Sequence, residues 1–287
     1  EKRLRPTDLL SSVRSQVLGN GVYDLDDTDE EAAGSTIETY ERNQKRAREL
    51  GRKVAGDASV LGEVIDEVSR QTEGRLWEFG LGLGEAADDP RSVLMKFRNV
   101  LAATPAAQRS ITAILGFLNA AAKKHVDVVE TFLEESLRDE VFAPYFPLLQ
   151  CNAGLNEAGV DRLLRSFQIG NVPAGCYRAL AGGRATDVLS VSQIASLVTA
   201  VRRMEKGQST ALDIIGMVVF CVCEKSDAYK QELRSFCMEF LAEIDWEAVE
   251  GNTEYHAKQV LKFALPASAH KDDVQRVVEG MLSTKVR

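Results

Sequence analysis

Along most of this chain apolar residues recur every three or four positions, and almost nowhere do they alternate as on a half-buried strand. Leu9, Leu10, Val13 and Val17 mark a short amphipathic helix within residues 7–18, stopped by Gly19, Asn20 and Gly21. Ser35 and Glu38 have the spacing of a capping box and open a helix that runs to about Val54. Asp57 caps the next helix, whose apolar face is Val60, Leu61, Val64, Ile65 and Val68. Asp89 before Pro90 and Thr104 before Pro105 each set a cap ahead of a first-turn proline, which predicts helices over 90–103 and 105–122. Further helices are predicted over 126–137, 156–168, 173–181, 190–204 and 209–223. Ser226 and Asn252 cap two more, over 227–243 and 253–264, and a last one covers 271–283. The β-branched run 214–223 is read as a buried helix because of its length and its neighbours Ala211, Leu212 and Met217.

Three stretches break the periodicity. The acidic run 24–31 buries little and repels itself, so it reads as a linker. Pro144 and Pro147 forbid a long regular helix across 143–149. Residues 74–84, where Gly80, Gly82 and Gly84 alternate with leucines, read as the least helical segment, a tight irregular crossing between helices.

Within this pattern lies an echo. Leu155, Val160, Leu163 and Leu164 recur as Leu189, Ile194, Leu197 and Val198, each displaced by 34 residues. A weaker one links residues 164–167 to 233–236, displaced by 69. A helical pattern repeating at such a period is characteristic of helix pairs that bury their apolar faces only against neighbours. The expected fold is therefore all-α, an α-solenoid of stacked antiparallel helix pairs with degenerate repeats. The expected division is 1–34, a short helix plus acidic linker, followed by a helical-repeat domain over 35–287.

Composition narrows the function. At 287 residues the chain exceeds the usual single compact domain, which agrees with an array. A formal net charge of −8 argues against general affinity for nucleic acid or anionic membranes. No apolar stretch approaches a membrane span, and none resembles a signal-peptide core. Five cysteines in apolar surroundings, Cys151, Cys176, Cys221, Cys223 and Cys237, fit buried residues of a reducing cytoplasm. The first residue is Glu1 rather than Met, as in a piece of a longer protein.

No motif supplies chemistry. Asp27, Asp29, Glu31 and Glu38 have part of a calcium-loop spacing, but Ala32 stands where that loop needs glycine. The glycines at 80–84 lack the lysine and hydroxyl residue of a phosphate loop and the spacing of a dinucleotide fingerprint. His125, His256 and His270 have no His or Cys partner at metal-ligand spacing. The basic residues between Arg42 and Lys53 alternate with Glu38, Glu41 and Glu49 as on a solvated, ion-paired face. Neither cofactor nor metal is expected, and no nucleophile has a base and an orienting group at motif spacing.

Residues 47–54, 74–82, 146–150, 177–184 and 211–217 resemble the helical C-terminal regions of long bacterial multidomain proteins, among them STAND and NACHT-like NTPases associated with phage defence. That resemblance covers most of 45–220 and implies a HEAT- or TPR-like recognition or scaffolding region attached to an NTPase or effector outside this chain. The 34-residue step is also similar to that of tetratricopeptide repeats, whose Trp, Leu-Gly and Tyr pattern does not recur. The expected function is non-enzymatic protein recognition in the cytoplasm, with Arg75, Trp77, Phe79 and Arg184 as candidate partner-binding residues. An all-helical enzyme with a dispersed site and a nucleic-acid-binding array are the alternatives. A deep pocket converging on His125, His256 or a carboxylate cluster would favour the enzyme, and a continuous Lys/Arg stripe the nucleic acid.

Overall fold

A computed structural model describes residues 6, 8–19, 36–169, 172–182, 184–250, 253–266 and 271–283. The described residues are helical throughout, with no strand. No described helix is long and apolar enough to cross a membrane. The acidic run 24–31, Ser35 of the predicted capping box, Asn252 and His270 lie outside the described residues.

Contacts divide the chain into two compact units, Glu1–Phe142 and Ala143–Arg287. The change falls at the proline-rich stretch, where a 3₁₀ turn at Ala143–Tyr145 leads into a helix with Pro147 in its first turn.

The first unit contains α1 (Leu9–Gln16), α2 (Thr36–Ala55), α3 (Ala58–Val68), α4 (Leu76–Ala86), α5 (Pro90–Ala103), α6 (Thr112–Ala121) and α7 (Val126–Ser136). Several start where the caps predict: the Asp57 carboxylate accepts from the Ser59 and Val60 amides, and that of Asp89 from the Ser92 amide. Helix α3 then buries one stripe, Leu61, Val64, Ile65 and Val68. Helices α2, α4 and α6 pack in succession, and so do α3, α5 and α7. Helix α1 is docked on α2 and α3, with Val13 and Val17 buried and Arg14 paired to Glu63 and Glu67. It is therefore part of this unit and not a separate segment. Thr104 does not open the following helix: its hydroxyl turns back to the Val100 carbonyl, and α6 starts only at Thr112, after a 3₁₀ turn at Ala106–Gln108.

The second unit contains α8 (Phe146–Ala153), α9 (Glu157–Ile169), a 3₁₀ helix (Ala174–Ala181), α10 (Val191–Arg202), α11 (Gly207–Phe220), α12 (Asp227–Glu243), α13 (Glu254–Ala264) and α14 (Lys271–Ser283). Helices α9, α10, α12 and α14 contact one another in that order, as do α8, the 3₁₀ helix, α11 and α13. The 34-residue echo falls on α9 and α10, where Val160 and Leu163 occupy the same buried positions as Ile194 and Leu197. The echo at 69 joins α9 to α12, two places along the same series. Residues 174–181 form a 3₁₀ helix where the periodicity suggested an α-helix. Ala174, Tyr177 and Leu180 are its buried side chains, and three residues per turn brings all three onto one face.

Candidate binding surfaces

Three of the four candidate residues surround α4, where the expected irregular crossing is a regular helix. Its glycines explain why. Residues two apart on a helix lie about 200° round the axis and residues four apart lie together, so Gly82 faces one neighbour while Gly80 and Gly84 face the other. A Cβ on Gly82 would sit 1.8 Å from the Arg48 carbonyl oxygen of α2, and one on Gly80 would sit 2.0 Å from the Ala113 oxygen of α6. Gly51 of α2 and Gly116 of α6 answer from the other side, against Phe79 and Trp77 backbone oxygens at 2.1 and 2.2 Å. The segment is helical because backbone contact with two neighbours outweighs the poor helix propensity of glycine, about 1 kcal/mol each.

This placement changes the roles of the candidates. Phe79 is fully buried and belongs to the core, where the sequence suggests a partner-binding side chain. Trp77 is half-buried. Arg75 holds α1, its amide and its Nη1 donating to the Val17 and Gln16 carbonyls at 2.8 and 2.7 Å. Arg184 lies in the second unit. It is exposed, has a left-handed backbone (φ 60°), and pairs with Asp187 at 2.5 Å and Glu224 at 2.9 Å.

On α4, Glu85 accepts from Arg48 and Arg52, with Arg52 Nε at 2.9 Å. The Arg48 hydrogen bond in particular holds its carboxyl below the usual range. Glu78, about two turns earlier on the same helix, is pushed upward by burial, an effect that Glu85 reinforces and Arg48 opposes.

Two concave features were not signalled by sequence. Between α5 and α7 lies a groove of about 180 Å³ lined by Leu94, Met95, Val128 and Phe132, with Arg91, Asp127 and Glu135 at its edges. Met95 is 45% exposed and lies beside these apolar side chains. Helix α7 carries Asp127, Glu130, Glu134 and Glu135 and no basic residue.

In the second unit Arg178, Asp213, Glu250, Thr253 and His256 line a pocket of about 590 Å³. Arg178 Nε donates to Asp213 Oδ2 at 2.7 Å, and His256 Nε2 lies 3.9 Å from Asp213 Oδ1. The imidazole rests against Gly216, whose missing side chain makes its room, and its Nδ1 is buried without a hydrogen-bond partner. The nearby Ser209 hydroxyl is engaged with the Glu250 backbone, donating to its carbonyl and accepting from its amide. The sequence singled out His256 but had no way to join it to residues 43 and 78 positions earlier. Among the described residues no group of three His, Cys, Asp or Glu side chains could hold a metal.

None of the five cysteines is in a disulfide, and burial pushes the Cys151 thiol up to about 12. Comparison with protein-family models, with curated proteins and with solved structures finds no match to this chain.

Proposed function

We propose that each unit is a short run of degenerate α-solenoid and that the chain is a non-enzymatic module for protein recognition. Two regularities support the stacked-pair reading. Helices of one series begin at closely similar intervals, α2, α4 and α6 at 36, 76 and 112, and α9, α10 and α12 at 157, 191 and 227. Ion pairs between neighbours repeat that interval, as with Arg98 and Asp139, Arg178 and Asp213, and Arg202 and Glu243.

The observation that carries recognition is the α5/α7 groove. Its apolar floor, exposed Met95 and acidic α7 suit a partner segment that presents an apolar side chain beside lysine or arginine. On the resemblance alone, we place the module in a larger bacterial multidomain protein, as the sensor region of a phage-defence system.

Selection of displayed peptides on the full chain tests the reading. The expected outcome is a consensus of an apolar residue flanked by basic ones, with binding lost in Met95→Asp and kept in Arg184→Gln. Absence of a consensus, or a consensus indifferent to Met95→Asp, overturns it.

A second reading is favoured by the His256 pocket, which is the kind of feature an all-helical enzyme would need. Its geometry suits ligand binding better than catalysis, because His256 lies beyond hydrogen-bond distance of Asp213 and the Ser209 hydroxyl is taken up by backbone.

A further inference from the structure

We infer that the Arg178 pocket of the second unit binds the oxyanion, phosphate or carboxylate, of a small molecule. The inference begins with how Arg178 is held. Asp213 engages its Nε, while among the described residues its two terminal nitrogens make no hydrogen bond and the side chain is 59% exposed at the pocket. A guanidinium fixed by one edge and open at its end presents a pair of parallel donors, the arrangement that matches two oxygens of a carboxylate or phosphate.

The surroundings hold that arrangement in place. Asp213 is only 13% exposed and is neutralised by Arg178, with His256 Nε2 3.9 Å from its other oxygen, so the carboxylate fixes the guanidinium by one edge. Thr253, the N-cap of α13, lines the same wall, and its side chain makes no capping hydrogen bond. Arg178, the His256 ring and this helix start thus line one space.

Size and charge define the ligand further. About 590 Å³ is several times the volume of a lone phosphate and falls in the range of small-molecule pockets, so the anion is carried on a larger body. Glu250 on the rim and the chain's net charge of −8 disfavour a polyanion. A ligand with one localised anionic group meets both conditions.

The experiment uses the full chain and two probes, inorganic phosphate and acetate, titrated at constant ionic strength with chloride as the screening control. Binding is read by calorimetry and by the ring-proton NMR signals of the histidines. Saturable binding of either probe with a shift of the His256 signal supports the inference, and the tighter probe identifies the source as phosphate or carboxylate. Arg178→Gln is expected to weaken binding at least tenfold and Arg178→Lys to restore part of it, while Arg184→Gln leaves it unchanged. His256→Gln, read in parallel, keeps the result interpretable should Arg178→Gln unfold. No saturable binding at millimolar probe, or equal affinity in Arg178→Gln, Arg184→Gln and the unsubstituted chain, overturns it.

Discussion

The two units solve one packing problem by opposite means. In the first, α2, α4 and α6 meet backbone to backbone, and the glycines at 51, 80, 82, 84 and 116 exist to remove side chains from the contacts. In the second, neighbouring helices are joined through side chains, several of them polar. Tyr177 stacks on Phe167 at 4.2 Å, and the Ser166 hydroxyl, having given its proton to the Leu163 carbonyl, accepts one from the Tyr177 hydroxyl. Arg162 and the Gly154 carbonyl are tied by Gln150 at its two ends. Direct backbone contact fixes spacing and leaves nothing to adjust, whereas a side-chain layer tolerates substitution and can open a pocket such as the one at Arg178.

Glycine substitutions put the difference under the heaviest strain. Gly82→Ala sets a methyl group against a carbonyl that cannot move without its helix, so we expect a loss of about 3 kcal/mol in the first unit. Gly159→Ala in the second unit meets the amide end of the Gln150 side chain at 2.7 Å rather than a backbone, and the gain in helix propensity offsets part of the strain. Denaturant unfolding resolves the two, since Trp77 reports on the first unit and Trp246 on the second once either is replaced by Phe. Equal losses for the two alanines would erase the contrast.

A smaller effect should follow from Tyr177→Phe, which keeps the stack on Phe167 and deletes the hydroxyl. Burial raises that hydroxyl to about 12, so it remains a proton donor across the accessible range. The expected cost is about 1 kcal/mol, confined to the Trp246 transition. A matching shift in the Trp77 transition would mean that the units unfold as one.

The smallest effect concerns charge. The folded state raises the carboxyl of Glu78, so this residue contributes stability at acid pH and loses that contribution as pH rises through its folded-state value. Glu78→Gln should therefore raise the melting temperature of the first unit slightly at pH 7 and leave it unchanged near pH 3. A decrease at pH 7 would show that attraction to Arg48 outweighs the burial.

What was legible in the sequence follows the range of each signal. Caps act within one turn, and Asp57, Asp89 and Ser226 sit where their spacing placed them. The step from α9 to α10 was legible because both helices bury the same positions. Helix α4 was not, because the cost of its glycines is local while the compensation comes from Gly51 and Gly116, some thirty residues to either side. Thr104 looked like a cap only because nothing local says that its hydroxyl turns back to Val100. Of the candidate surface residues, Phe79 failed for the same reason as α4: an aromatic in a supposed loop reads as exposed, and in a helix gripped on both sides it is core. The groove and the pocket join segments up to 78 positions apart, a distance over which a single sequence carries no pattern.

The glycines of α4 also act as a ruler. Leu81 and Leu83 alternate with them, so sliding α4 by one residue along either neighbour would drive a leucine into a carbonyl. The one-residue shift is thereby closed to all three helices. We expect the three to lock together in a single step during folding, with mispaired arrangements excluded by shape before any favourable contact has formed.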